Sequence, residues 1–274
     1  MINPSPIGIF DSGYGGLTVL KEIKKLLPHY DFLYFGDNAR APYGPRSFER
    51  VYEFTLQSVK WLLAQGCPLV ILACNTASAK ALRTIQQKYL PQFDNKKRVL
   101  GVIRPTTEII GNYSNTKNIG ILGTNGTVIS KSYLIEIENF FPKINVSQHA
   151  CPMWVPLVEN NEGNSEGADY FIKKDINLLL KKSSQIDVVL LACTHYPLLL
   201  KEIKKYLPEN IKIISQGPIV AKSLKSYLER HPEIEERCSK NGGLQFFTTD
   251  STKDFDKHSK IFFGEKINSK HVDL

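Results

Sequence analysis

Short apolar runs alternate along the chain with longer segments in which apolar residues recur every three or four positions. Runs of strand length lie at 6–10, 31–36, 68–73, 98–103, 118–122, 144–148, 186–192, 211–214 and 244–248. Amphipathic segments of helical period lie at 16–27, 47–65, 127–140 and 166–182. Because parallel strands that are buried on both faces are apolar throughout, this alternation predicts an α/β fold with doubly wound, mainly parallel sheets.

Similar units recur after a nearly constant interval. The segment IGIFDSGYGGLTV at 7–19 aligns with IGILGTNGTV at 119–128, and LAC at 72–74 recurs at 191–193. The recurrence predicts two units of similar architecture, each with strands that end in chemically rich loops. We assign 1–98 plus 217–274 to the first α/β domain and 99–216 to the second, because the tail carries a further strand and helix that we expect to return to the first domain.

Charge alone does not identify a partner. Among 274 residues, 35 are Lys or Arg and 27 are Asp or Glu, which gives a net charge of +8. Such a balance permits a nucleic-acid partner, but the lysines fall on the polar faces of helical segments such as 21–25 and 172–182. We interpret the charge as a solvated surface, so the sequence does not support nucleic-acid contact.

Cysteine usage and the chain start indicate a reducing compartment. The five cysteines are odd in number and form no C-x-x-C pair, which argues against a disulfide framework and against a structural metal. The first residues show no basic and apolar leader, and no apolar run approaches the ~18 residues of a membrane span. We therefore expect a cytoplasmic protein without a membrane partner and with no metal.

Ligands of parallel sheets bind beyond the carboxyl ends of the strands, where the loop FDSGYGG at 10–16 is predicted to lie. Asp11 and Ser12 follow the strand directly, and the glycines allow close backbone approach in front of a helix N-terminus. A dinucleotide fold competes, because Asp37 ends the next strand where a ribose-binding acid would lie. Thr18 stands at the third glycine position, however, and Asp11 would repel a pyrophosphate.

Three further loops offer polar groups for a ligand. In APYGPRS, Tyr43 and Gly44 offer a hydroxyl and backbone amides to a carboxylate. The loop GTNGT offers Thr124 and Thr127 as anion donors. The apolar loop CPMWVPLVENN contains Glu159, which we expect to enter the same cleft. Taken alone, each of these is also an ordinary loop.

Two loops place a cysteine after an apolar strand, in ACNTASA at 73–79 and ACTHYPLL at 192–199. Such a cysteine is usually a small buried hydrophobe. At Cys74, however, the following helix N-terminus is expected to stabilise a thiolate, and Asn75 and Thr76 add donors. Cys193 is followed by Thr194 and His195, and a histidine beside a thiol tunes its protonation.

A Cys-x-His metal ligand set is an alternative use of the second loop. It would combine Cys193 with His195, and only Asp11 or Cys74 could complete it. A pyridoxal-phosphate site is a further alternative, but no lysine lies in the loops that carry the chemistry. We therefore expect no cofactor.

Two thiols that face one cavity are suited to inverting a carbon acid. A base on one face abstracts the proton next to a carboxylate, and an acid on the other face returns it. A cysteine pKa of about 8.5, lowered by a helix N-terminus, would make thiol and thiolate both accessible near neutral pH. Amides and hydroxyls from Ser12, Asn75, Thr76, Thr124 and Thr194 could stabilise the charge that develops on the carboxylate.

The segments GIFDSGYGGLTVL, APYG, LACNTASA, PLVE and ACTHYPLL recur in this order over about 190 residues and closely resemble the glutamate racemases of the aspartate/glutamate racemase family. The resemblance implies two pseudo-symmetric α/β domains with an active-site cleft between them. It also implies cofactor-independent interconversion of L- and D-glutamate for peptidoglycan, and it leads us to expect a homodimer.

The resemblance also implies roles for single residues. Cys74 and Cys193 would be the acid/base thiols, one for each enantiomer. Asp11 would assist Cys74, and His195 would assist Cys193 with Glu159 nearby. The implied substrate contacts are Asp11, Ser12, Tyr43, Gly44, Asn75, Thr76, Thr194 and His195.

Two stretches depart from the family pattern. GVIRPTT at 101–107 stands where G-V-[IV]-E-P-G is common, and ISQG at 214–217 stands where I-D-S is common. Neither replaces a proposed catalytic group. The alternatives left open are a related racemase that acts on aspartate or another amino acid, since one methylene gives only ~1–3 kcal/mol of discrimination, and an amino-acid-binding protein that inhibits gyrase. Retention of both cysteines argues against binding alone.

Overall fold

The apolar runs form strands in two parallel sheets of a computed structural model that describes residues 4–274; residues 1–3 of the predicted first domain lie outside the described residues. The strands are β1 (Ile7–Asp11), β2 (Phe32–Gly36), β3 (Leu69–Leu72), β4 (Arg98–Gly101), β5 (Asn118–Gly123), β6 (Asn145–Ala150), β7 (Val188–Ala192), β8 (Lys212–Ser215), β9 (Leu244–Thr248) and β10 (Ser269–His271). The larger sheet has the order β10-β9-β2-β1-β3-β4 and the smaller one β6-β5-β7-β8. The predicted α/β class with parallel sheets is confirmed.

Helices cover the sheets as the amphipathic pattern predicts. They are α1 (Gly16–Leu26), α2 (Phe48–Ala64), α3 (Asn75–Lys80), α4 (Leu82–Thr84), α5 (Leu90–Phe93), α6 (Ile103–Thr107), α7 (Asn125–Ile129), α8 (Ser132–Phe140), α9 (Trp154–Glu159), α10 (Glu166–Leu180), α11 (Leu200–Tyr206), α12 (Gly217–Arg230), α13 (Pro232–Glu235) and α14 (Thr252–Phe263). Short 3-10 turns lie at Asn38–Arg40, Ile110–Tyr113 and Tyr196–Leu199, and a π turn lies at Ile85–Tyr89. None of the helices within 4–274 combines the length and the hydropathy needed to cross a membrane.

Local backbone chemistry sets where the helices begin and end. The side chain of Ser47 accepts a hydrogen bond from the Arg50 amide at the start of α2, and Gly66 follows its end with φ +92°, where a side chain would be strained. The segment predicted as one helix at 127–140 is instead split into α7 and α8. Lys131 adopts φ 55° between them, which breaks the helical hydrogen-bond ladder.

The C-terminal tail lies on the larger sheet. β9 pairs with β2 in parallel, and α12 and α14 pack against α1. β4 pairs with β3, although the predicted domain boundary at 98/99 runs through this strand. A division of the chain between the two sheets therefore falls after Gly101, and the smaller sheet is built wholly from the residues between Asn118 and Ser215. Such a division of the chain into two domains stays a prediction.

Candidate active site

The carboxyl ends of β1, β3, β5 and β7 surround one cavity of about 160 Å³. Parallel strands place their following loops at the same edge of a sheet, which brings the loops of the two sheets face to face. Every predicted site residue except Asp11 and Thr127 lines this cavity: Ser12, Tyr43, Gly44, Cys74, Asn75, Thr76, Thr124, Glu159, Cys193, Thr194 and His195. Apolar side chains that follow β6 form part of the wall, Pro152 from the loop and Val155 and Pro156 from α9.

Cys74 lies at the N-terminus of α3, two residues after β3 ends. Its sulfur accepts a hydrogen bond from the Ala77 amide at 3.4 Å and therefore caps the helix. The hydroxyl of Ser12 lies 3.4 Å from the same sulfur. The first loop and the third loop of the larger sheet are thus joined at this thiol.

The pKa of Cys74 differs from the sequence expectation. We expected the helix N-terminus to lower it, but burial, followed by the negative charge of Asp11, raises the pKa of Cys74 to about 12. The hydrogen bonds from Ser12 and Ala77 act in the opposite direction and are outweighed. A side chain that is only 6% exposed loses more from desolvation than one helix turn returns. Cys74 is therefore a neutral thiol at neutral pH.

Asp11 lies behind the cavity wall at the end of β1 and is 1% exposed. Its Oδ2 accepts a hydrogen bond from the Gly13 amide at 3.0 Å, whereas Oδ1 has no hydrogen-bond partner among residues 4–274. Burial raises the pKa of Asp11 to about 6, although the nearby charge of His195 lowers it. Helix α1 approaches closely here, since a Cβ on Gly16 would lie 2.5 Å from the Asp11 Cβ.

Cys193 follows β7 and has different neighbours. The Nδ1 atom of His195 lies 3.9 Å from its sulfur, and the Nε2 atom of His195 lies 2.9 Å from Oε1 of Glu159. Glu159 ends α9, so the apolar loop after β6 delivers a carboxylate to the histidine as expected. Burial lowers the pKa of His195, but the hydrogen bonds to Cys193 and Glu159 outweigh it and raise the pKa to about 10.

The loops of the two sheets fit closely against each other. A Cβ on Gly15 would lie 2.1 Å from Oγ1 of Thr194, so only glycine permits this approach. The hydroxyl of Thr18 donates to the carbonyl of Thr194 at 3.0 Å. On the other side of the cavity the hydroxyls of Thr76 and Thr124 are 2.9 Å apart. These contacts fix the position of one thiol loop relative to the other.

Two side chains that were predicted to bind a ligand are already hydrogen-bonded within the protein. The hydroxyl of Tyr43 donates to Asp37, and the carbonyls of Tyr43 and Gly44 accept from backbone amides, so the amides of these two residues are the groups left for a ligand. The side-chain oxygen of Asn75 accepts from Tyr133 at 2.6 Å, and its nitrogen donates to Gln216 at 2.7 Å. The backbone amide of Asn75, at the start of α3, is the group that remains available.

Sequence reasoning missed the residue at the centre of this network. The Gln216 side-chain nitrogen donates to the Tyr133 hydroxyl at 2.7 Å, to the Val102 carbonyl at 3.0 Å and to the Thr106 hydroxyl at 3.1 Å. The two departures from the family pattern, at 101–107 and 214–217, therefore meet at one buried point behind Asn75. Their pairing is the signal that could have indicated the contact.

The arrangement of metal-ligating groups was also missed. The competing set of Cys193 with His195 is not among the clusters of close ligand atoms within 4–274, whereas His149, Cys151 and Asp175 form such a cluster. The alternative of a metal bound by Cys193 and His195 stays a prediction that the ligand-free structure does not test.

Comparisons with known proteins agree with this geometry. The family model described as Asp/Glu/Hydantoin racemase matches residues 7–224. The chain is 37% identical over 273 residues to the glutamate racemase of Streptococcus gordonii, covering 98% of both chains.

Solved structures are similar over the whole chain. The crystal structure of glutamate racemase isoform RacE1 from Bacillus anthracis matches with a TM-score of 0.89 and 35% identity over 98% of each chain. The glutamate racemase of Francisella tularensis in complex with D-glutamate matches with a TM-score of 0.88 and 30% identity, covering 100% of this chain and 98% of that one.

Proposed function

The chain belongs to the Asp/Glu/Hydantoin racemase family, and from this premise we propose that it is a glutamate racemase that interconverts L- and D-glutamate without a cofactor. One observation carries the proposal. Cys74 and Cys193 line the same cavity, and each is delivered by a different sheet. Inversion at a carbon needs a proton donor and a proton acceptor on opposite faces, and two thiols supply both functions with one kind of group.

The surroundings of the two thiols support a division of labour in the ligand-free protein. Cys74 holds its proton because it is buried beside Asp11. His195, held by Glu159, places its Nδ1 atom 3.9 Å from the Cys193 sulfur, where the imidazole can exchange a proton with that thiol. Cys193 would then abstract the Cα proton from one enantiomer, and Cys74 would deliver its own proton to the opposite face. In the reverse direction the roles exchange.

The carbanion-like state requires stabilisation at the substrate carboxylate. Backbone amides at Asn75 and Thr76 begin α3, where the helix dipole attracts negative charge. The hydroxyls of Thr76, Thr124 and Thr194 lie on the cavity wall. The apolar wall excludes water, which strengthens each of these interactions. No step of this sequence needs a metal or an electron sink.

Glutamate is the substrate that the relatives support. The Streptococcus gordonii protein is named a glutamate racemase, and the Francisella tularensis structure contains D-glutamate. The chain would supply D-glutamate for peptidoglycan. A cytoplasmic location and a homodimer remain predictions, and contact with gyrase or nucleic acid has no support from the described residues.

The test is incubation of the metal-free protein with L-glutamate in heavy water. We expect loss of optical rotation with deuterium at Cα and no response to added pyridoxal phosphate. Cys74→Ser and Cys193→Ser should each lower the racemisation rate by roughly 10²–10⁴-fold. Cys238→Ser, a change at a buried cysteine outside the cavity, is the matched control and should retain the rate.

Retention of more than a tenth of the rate by either active-site variant would contradict the two-thiol mechanism. Thermal melts of all three variants separate loss of chemistry from loss of folding. Parallel assays with L-aspartate test the substrate, and faster turnover of aspartate than of glutamate would overturn the assignment to glutamate.

A further inference from the structure

A second group of chemically active side chains lies behind the cavity wall. His149 near the end of β6, Cys151 just after it and Asp175 on α10 bring one ligand atom each to within 4.8 Å of one another. Alternate residues along a strand face the same side, which places His149 and Cys151 together. Helix α10 packs against β6 and presents Asp175 to the same point.

The carboxylate of Asp175 is incompletely satisfied. Its side chain is 7% exposed, and its Oδ1 atom lies 3.0 Å from Nε2 of His149. Its Oδ2 atom has no hydrogen-bond partner among the residues that the structure describes. A buried carboxylate oxygen without a donor is costly, so this atom calls for a partner that the nitrogen and oxygen donors of the described residues do not supply.

The third member of the group is a buried thiol. Cys151 is 0% exposed, and its sulfur lies within 4.8 Å of the ligand atoms of His149 and Asp175. A divalent cation would displace the thiol proton, and the resulting thiolate and carboxylate would balance its two positive charges.

We propose that His149, Cys151 and Asp175 form a binding site for a divalent transition metal of the zinc class. Imidazole nitrogen, thiolate sulfur and carboxylate oxygen are the three ligand types that Zn²⁺ takes in proteins, and a water molecule would complete a tetrahedron. Tetrahedral ligand atoms lie roughly 3.3–3.6 Å apart. The His149 and Asp175 ligand atoms are already 3.0 Å apart, and no pair in the cluster is separated by more than 4.8 Å, so metal binding requires the longer separations to shorten by at most about 1 Å.

The site adjoins the cavity without sharing its chemistry. Cys151 also lines the cavity, and its carbonyl accepts a hydrogen bond from the Tyr196 hydroxyl at 3.0 Å. A bound metal would fasten β6 to α10 and would hold the loop that leads to Glu159. The proposal is independent of racemase activity, because it concerns binding and not turnover.

Cobalt(II) is the probe for the first experiment, since a thiolate ligand gives cobalt an intense charge-transfer absorption in the near ultraviolet. The full-length protein carrying Cys74→Ser and Cys193→Ser serves as background, so the catalytic thiols cannot contribute to the band. We expect one equivalent of Co²⁺ to produce the band, and we expect Zn²⁺ to displace it. Adding Cys151→Ser should abolish it, whereas adding Cys238→Ser should leave it unchanged.

His149→Gln and Asp175→Asn test the other two ligands. Each should weaken Zn²⁺ binding in calorimetry by roughly 10²-fold. Because His149 is partly exposed, its replacement probes the site with little disturbance of the core. Zinc at about 100 times its dissociation constant should raise the thermal midpoint of the wild-type protein by roughly 5 °C and should not raise that of Asp175→Asn.

Three results would overturn the site. They are absence of the cobalt band in the two-serine background, survival of the band in the Cys151→Ser protein, and zinc affinity unchanged by both His149→Gln and Asp175→Asn. A band seen only when Cys74 and Cys193 are intact would place the metal in the cavity instead.

Discussion

Cys74 is paired with a buried carboxylate, whereas Cys193 is paired with an imidazole that a second carboxylate holds in place. Both cysteines follow apolar strands, precede helical turns and are 6% exposed. The backbone halves are therefore alike, and the difference lies in one neighbouring charge on each side. A racemase needs a proton donor on one face of the substrate and a proton acceptor on the other, and the two thiols differ in the group that lies beside each of them.

The largest effect is expected from removing the imidazole. His195→Asn should lower kcat by about 10²-fold, because Cys193 loses the neighbouring imidazole with which it can exchange a proton. The variant should also slow the alkylation of Cys193 by iodoacetamide, which mass spectrometry of the labelled peptides would measure. Because enantiomers have equal free energy, kcat/KM should fall equally in the two directions.

Asp11→Asn is the matching substitution beside the other thiol, Cys74. It should make Cys74 more reactive towards iodoacetamide, since the negative charge beside that thiol is removed. If the wild-type protein were labelled first at Cys74, or if His195→Asn left the labelling of Cys193 unchanged, the assignment of a negative neighbour to Cys74 and a cationic neighbour to Cys193 would be wrong.

A smaller effect is expected for Glu159→Gln. The pKa of His195 is raised to about 10 in part by Glu159, so the variant should lose the imidazolium at lower pH. We expect the alkaline limb of the kcat profile to move towards neutral pH, with roughly a tenfold loss at pH 8.

The free energy of unfolding should depend on pH in the same direction. A histidine whose pKa is raised in the folded state stabilises the folded protein fully below about pH 6.5, and this contribution is lost as pH rises through about 10. In Glu159→Gln the loss should begin at lower pH, as urea unfolding across that range would measure. An unchanged alkaline limb would show that Glu159 does not tune His195.

The smallest expected effect concerns stability at Asp11. Burial raises its pKa to about 6, so the ionised carboxylate costs free energy in the folded state. Asp11→Asn should increase the free energy of unfolding by about 1 kcal/mol above pH 6, with the gain shrinking as pH falls towards 4. Urea unfolding at pH 4 and pH 7 measures the difference, and an equal gain at both values would assign it to packing rather than to charge.

Period and spacing predicted most of the strands because buried parallel strands carry a continuous apolar signal. The pattern did not predict β10, because its three residues, SKH, carry no apolar signal. The loops that line the cavity were predictable since each follows such a strand. The state of Cys74 was not, because desolvation depends on everything packed around the sulfur, which the local sequence does not contain.

The hydrogen bonds that occupy the predicted ligand-binding side chains could not be predicted from the sequence either. Tyr43 and Asn75 look like ligand donors in sequence, yet residues distant along the chain occupy their polar atoms. The group of His149, Cys151 and Asp175 left a partial trace, because H-x-C at the end of a strand places two ligands on one face. Asp175 could be added to it only once α10 was seen to pack against β6.

The return of the tail to the larger sheet has a consequence for synthesis. Once the ribosome has released Ser215, all four strands of the smaller sheet are available, but the larger sheet still lacks β9 and β10. Until β9 has been synthesised, the backbone of β2 is an open edge, of the kind that pairs with neighbouring nascent chains. A chain that stops before Leu244 would keep that edge permanently, so premature termination yields an aggregation-prone fragment rather than a shortened protein.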